Sequence, residues 1–226
     1  MWYRLAKSMP VCDLFDADMP DISSESIEGV LSDEPFDAVA SKKNGIRSME
    51  RAGCVPMMSI SFHGTMMDMG RLPTLAEYVD GYEKRNARFL SGLDEPTLAG
   101  ITARVIRAFP SLVRDVHFVS VARELGADVC RTLRDDIRGT DATILTASGP
   151  RFIRLYYDSP RARKFRIAKA MAHDVSEEHV DFPLTRENAD EVGNVFLYSR
   201  AAIEELLESM QAVRRGTRQE ESTCRT

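Results

Sequence analysis

The chain has few of the residues that announce a compartment or a cofactor. Its four cysteines, Cys12, Cys54, Cys130 and Cys224, stand far apart, and no two of them form a CxxC pair. That excludes a dithiol redox motif and a Cys-rich zinc module, and leaves free thiols in a reducing cytosol as the expectation. No apolar run approaches the ~20 residues that cross a bilayer. The opening MWYRLAKSMPVCDLFDADMP lacks the apolar core of a secretory signal and turns acidic at once. A cytoplasmic protein with no membrane partner is expected. G-x-S-x-G, Walker and dinucleotide fingerprints are absent, which argues against serine-hydrolase, P-loop and Rossmann chemistry, and no internal repeat is present.

Basic residues are missing from one stretch altogether. Residues 12–37 carry Asp13, Asp16, Asp18, Asp21, Glu25, Glu28, Asp33, Glu34 and Asp37 without one Lys or Arg, punctuated by Pro20 and Pro35. Such a run buries little, so a loosely structured acidic leader is expected, with one short helix at Ser24–Leu31. It suits a solvated arm or a surface that docks a protein partner. In the following segment Met57, Met58, Met66, Met67 and Met69 surround His63. Soft-metal binding is one reading; adaptable packing against a partner is the other and the stronger. A short strand is expected at Met57–Phe62.

What is present is ordinary globular material: 226 residues, 43% of them apolar, with a net charge of −5, enough for a real core. Thr74 and Glu77 match the T-x-x-E capping box and open a helix ended by Gly92. A second helix should run from Pro96 to Phe109 and stop at Pro110. A third, capped by Ser111, should reach Leu125, with His117, Val121 and Glu124 on one strip. Strands follow at Asp128–Leu133, Asp141–Thr146 and Arg151–Tyr157, the last two joined by the ASGP turn, so that Asp141 and the neighbourhood of Arg154 meet across a hairpin. Ser159 and Pro160 start a basic helix bearing Arg161, Arg163, Lys164, Arg166 and Lys169. Strands around Glu178–Leu184 and Val192–Tyr198 and a helix begun by Ser199 complete the pattern. His173, Asp174, His179 and Asp181 form a weak candidate metal cluster.

The order helix, three strands, helix, strand resembles the core of the PD-(D/E)XK, or restriction-endonuclease-like, nuclease superfamily over about Ser111–Tyr198, and GTDATI is similar to the G-x-D strand opening of its Mrr-like members. The resemblance implies an α/β fold: a helical N-terminal extension, an αβββαβ core and a C-terminal helix. It implies Mg²⁺ held by a helix acid matching Glu124 and a strand acid matching Asp141, with a lysine positioning the attacking water. Where the family has (D/E/Q)-x-K, this chain has Arg154-Leu155-Tyr156. A guanidinium cannot bind Mg²⁺ but suits a phosphate. Lys164 or Lys169, relocated to the next helix, is the remaining catalytic candidate.

The expected organisation is therefore an acidic and Met-rich segment at 1–72, a helical scaffold at 73–110, a nuclease-like domain at 111–215 and a tail at 216–226. Arg154, Arg161, Arg163, Lys164, Arg166 and Lys169 would contact nucleic acid. The function expected is that of a DNA-associated, nuclease-like protein of a mobile element or defence system, with a degenerate or altered metal site. The alternative is a non-catalytic assembly subunit of a phage or multi-protein complex.

Overall fold

A computed structural model of the chain describes residues 18–37, 46, 49, 55–132, 139–160 and 179–212. These form a mixed α/β protein with six helices, a four-stranded mixed sheet and a separate two-stranded sheet among the described residues. The chain divides into two compact units. The first is Met1–Val113 with Val192–Val195; the second is Arg114–Glu191 with Phe196–Thr226. No described helix is long and apolar enough to cross a membrane.

The first unit corrects three expectations. The acidic stretch is packed where it is described. Helix α1, Ser24–Asp33, is capped by the Ser23 hydroxyl, which accepts from Ser26 N at 3.2 Å. Met19, Ile22, Ile27 and Leu31 are buried, while Asp21, Glu25 and Asp33 face outward. Four apolar side chains, Ile27 and Leu31 one turn apart on α1 and Met19 and Ile22 in the chain before it, anchor an otherwise polar segment, which the charge count alone conceals.

The strand expected at Met57–Phe62 is instead part of helix α2, Met58–Met69, closed by Gly70 in the left-handed region at φ 64°. Short apolar runs are ambiguous between strand and helix. Here Phe62 and Met66, one turn apart, are both fully buried. Helix α3, Leu75–Arg85, has the capping box the sequence promised: Glu77 N donates to Thr74 Oγ1 and Thr74 N to Glu77 Oε2. It ends earlier than Gly92, a four-residue helix α4, Ala87–Leu90, intervening. Helices α2 and α3 cross closely at Gly81, where a Cβ would lie 2.2 Å from Thr65 Oγ1. Phe62, Tyr78 and Phe109 cluster with ring centroids 5.2–6.2 Å apart.

The third correction is at Pro110. Helix α5 runs unbroken from Glu95 to Glu124, with Pro110 inside it. An interior proline costs about 3 kcal/mol. Val105, Phe109, Leu112, Val113 and Val116, buried on either side of it, offset that by ~1.5–3 kcal/mol each when fully covered.

In the second unit, β1 (Val129–Cys130), β2 (Ala142–Thr146), β3 (Gly149–Tyr157) and β4 (His179–Leu184) lie side by side in that order. The first two junctions are antiparallel and β3–β4 is parallel. The ASGP turn behaves as expected, with Thr146 facing Gly149 across the two-residue loop Ala147–Ser148. A parallel neighbour requires a crossover, and residues 158–178 make it; of these only 158–160 are described. The basic helix expected there, with Arg161, Arg163, Lys164, Arg166 and Lys169, and His173 and Asp174 of the candidate cluster, lie outside the described residues. Strands β5 (Ala189–Val192) and β6 (Val195–Tyr198) form a hairpin through Gly193 and Asn194, both at positive φ (53° and 64°), the torsions of a type I′ turn. Helix α6, Arg200–Ser209, begins at Ser199, whose hydroxyl accepts from Ala202 N.

Candidate functional site

Between Arg114 and Arg123, α5 has no solvent side. Val116, Phe118, Val119, Val121 and Ala122 are buried, and so are Arg114, Asp115, His117, Ser120 and Arg123 on the same turns. A charge taken out of water without a partner costs several kcal/mol, so the arginines and the aspartate among them must be answered from a neighbouring element. Arg114 Nε donates to the Phe196 carbonyl at 3.0 Å and Arg123 Nε to the Val129 carbonyl at 3.2 Å. Asp115 is answered by Arg131, just past β1: Arg131 Nη1 lies 3.4 Å from Asp115 Oδ2, the two side chains being 3% and 11% exposed.

The same Nη1 donates to the Asp141 carbonyl at 2.9 Å. Asp141 sits immediately before β2, where its N–H donates to Ile153 O at 2.8 Å and its Oδ2 accepts from Leu155 N at 2.7 Å. Its carboxylate therefore extends the β2–β3 ladder by one rung beyond the strand. Asp141 meets β3 on both sides of Arg154, as the hairpin reading anticipated, but through the backbone. The Arg154 side chain is half-buried, in register with Asp181 on β4.

Tyr198, fully buried at the end of β6, closes the group. Its hydroxyl donates to Phe182 O at 2.6 Å and accepts from Tyr156 N at 3.2 Å, and its ring stacks on Phe182 at 4.7 Å. Burial pushes its phenol well above the ordinary value, and the carboxylates of Asp115 and Asp141 push the same way against the pull of Arg114. In the unfolded chain tyrosine ionises near pH 10, whereas folded Tyr198 stays protonated. Its contribution is thus complete below pH 10 and is lost above it, at about 1.4 kcal/mol per pH unit. Tyr198→Phe is expected to cost about 1–2 kcal/mol at neutral pH by removing both hydrogen bonds. It should also make stability fall less steeply between pH 10 and 11. Urea titrations at the three pH values check this, and an unchanged alkaline slope would refute it.

The helix acid singled out in the sequence lies elsewhere. Glu124 ends α5 and accepts from Arg200 Nη1 at 2.8 Å, the pair being 30% and 54% exposed. It is nine residues beyond Asp115, about 13 Å along the axis. His179 Nε2 lies 3.2 Å from Thr140 Oγ1 and its ring packs on Phe152, while Asp181 is exposed.

Comparison with protein-family models, curated proteins and solved structures finds no match for this chain.

The residues about Asp141 do not fit a magnesium ion. Mg²⁺ requires near-octahedral oxygen coordination. Among the described residues, no three His, Cys, Asp or Glu side chains are grouped to hold a metal. Asp141 Oδ2 is engaged by a backbone N–H, and a guanidinium stands at the neighbouring carboxylate. What the arrangement does chemically is fix the mouth of the β2–β3 hairpin to α5 through a charged bridge. Asp115, Arg131 and Tyr198 carry no motif spacing and were missed in the sequence. The signal available was the run Leu112–Ala122, apolar around its whole circumference, which leaves its charged members nowhere to go but inward.

Proposed function

We propose that this chain is a DNA-associated protein with a nuclease-like core whose metal site is degenerate, so that it binds nucleic acid without cutting it. The observation that carries the reading is Asp141 at the head of β2, in a sheet whose first three strands are antiparallel neighbours and whose fourth joins parallel to β3. The described strands support the resemblance to the PD-(D/E)XK superfamily, which implies a helix between the third and fourth of them. Tyr156 at the position of the family's lysine, together with the engaged Asp141 carboxylate, argues for loss of hydrolysis. The crossover segment, with Arg161, Arg163, Lys164, Arg166 and Lys169 after Arg151 and Arg154, supplies charge for a phosphate backbone.

Electrophoretic shift of duplex DNA at graded salt tests the binding half. If four phosphates are neutralised, log affinity should fall against log salt with a slope of about −3.6. Arg163→Glu with Lys164→Glu should abolish the shift, and an unaffected shift would refute nucleic-acid binding through this segment. Plasmid incubated with Mg²⁺ or Mn²⁺ should stay supercoiled; nicking lost in Asp141→Ala would show the site to be active. Absence of any shift, with self-association in light scattering, would favour the assembly-subunit reading, for which the outward acidic face of α1 offers a surface.

A further inference from the structure

We propose that Arg154 is an anion-binding residue on the half-buried face of the four-stranded sheet, taking a backbone phosphate of an unpaired nucleic-acid strand whose bases stack on Phe152 and Tyr156. The inference deepens the nucleic-acid reading by naming the form of the partner and a residue that holds it. It rests on that reading for the ligand, and on neither the nuclease resemblance nor the crossover segment.

Side chains alternate along a strand. Ile153 and Leu155 of β3 are buried in the core, and Phe152, Arg154 and Tyr156 stand half-buried on the opposite face. In that row Arg154 is unanswered: among the described residues its guanidinium makes no hydrogen bond or ion pair. Two carboxylates lie one strand away, and both are engaged elsewhere. Asp141 Oδ2 is taken by Leu155 N, and Asp181, the register partner of Arg154 on β4, has an interaction of its own. A partly desolvated cation left without a counter-charge inside the chain is matched to an anion from outside it. Its five N–H donors in a fixed plane suit a phosphate bidentately.

The rest of the face says which phosphate. Thr143 is in register with Phe152 and so on the same face, and its Oγ1 is buried without a hydrogen-bond partner. The face therefore lacks a polar partner at two places, each costly to leave so. His179 packs its ring on Phe152 from β4 and holds it in place. Two aromatic rings on either side of an arginine are the elements with which a sheet grips single strands, rings on bases and guanidinium on backbone. A duplex keeps its base faces stacked within itself and offers the rings nothing.

Fluorescence anisotropy of a labelled oligo(dT) of about 16 nucleotides, with the full chain at graded salt, tests the proposal. Arg154→Gln should weaken binding about tenfold and flatten the log–log salt slope by about 0.7. Duplex of the same length should lose no more than about twofold, its phosphates being held by other cations. Phe152→Leu and Tyr156→Leu should each cost at least about fivefold for oligo(dT) with the slope unchanged. Because no partner is lost, Arg154→Gln should melt within about 2 °C of the wild type. Unchanged oligo(dT) affinity and slope in Arg154→Gln would overturn the proposal, as would a transition several degrees lower, which would make the guanidinium a structural group. Equal losses for duplex and oligo(dT) would also defeat it, and so would polyglutamate binding that depends on Arg154 without any response to oligo(dT). A wild type that binds duplex but not oligo(dT) sinks this inference alone; one that binds neither sinks the nucleic-acid reading as well.

Discussion

Replacing Gly193 with alanine is expected to destabilise the first unit by about 3 kcal/mol or more, for two reasons that act together. Gly193 has φ 53°, and a Cβ there would lie 1.9 Å from the Leu31 carbonyl oxygen and 2.5 Å from its carbon. The left-handed conformation alone costs an alanine about 1–2 kcal/mol. The obstructing atoms are backbone and cannot swing aside as a side-chain tip can. Relief requires the hairpin tip to withdraw from α1. That breaks Phe36 N to Gly193 O at 2.8 Å and Asn194 Nδ2 to Phe36 O at 3.3 Å. Gly29→Ala is the control. It lies exposed on α1 with nothing within 4 Å of its would-be Cβ, and should stabilise by ~0.5–1 kcal/mol through helix propensity. Urea midpoints moving in opposite directions are the expected result; a Gly193→Ala midpoint equal to wild type would overturn it.

Asp115→Ala should cost about 3–5 kcal/mol, because it removes the carboxylate that answers the buried Arg131 guanidinium. Glu124→Ala, which opens a pair with both partners partly in solvent, should cost under about 1 kcal/mol. Chemical denaturation of the two variants side by side measures the contrast directly. Equal losses would mean that the buried bridge between Asp115 and Arg131 contributes no more than a surface contact.

That contrast also shows where the sequence was readable. Features set by adjacent residues were legible: the Thr74–Glu77 box, the Ser199 start of the last helix and the turn after Thr146 all depend on contacts between residues a few positions apart. Features set by distant packing were not. Pro110 reads as a stop because its local chemistry is that of a stop, and only the burial of Phe109, Leu112 and Val113 keeps the helix going. The Met57–Phe62 stretch carries no decisive period, so its helical state is decided by Tyr78 and Phe109 packing on Phe62. For the candidate site, Asp141 was legible from its place at a strand head. Asp115 was not, because a charged residue on a helix ordinarily faces water, and the neighbour that draws it inward is Arg131, sixteen positions away on another element. Glu124 met every criterion of spacing and lies beside Arg200, a residue no pattern linked to it.

The tip of the last hairpin, Val192–Val195, is counted with the first unit although about eighty residues separate it from Val113. On a ribosome delivering roughly 5–20 residues per second, the amino-terminal half emerges seconds before the short loop that completes its packing. Until Gly193 arrives, the carbonyl end of α1 and Phe36 have no strand turn to receive them. Birth order and spatial order thus disagree in this molecule, and its early half must wait, partly finished, for a piece of the late one.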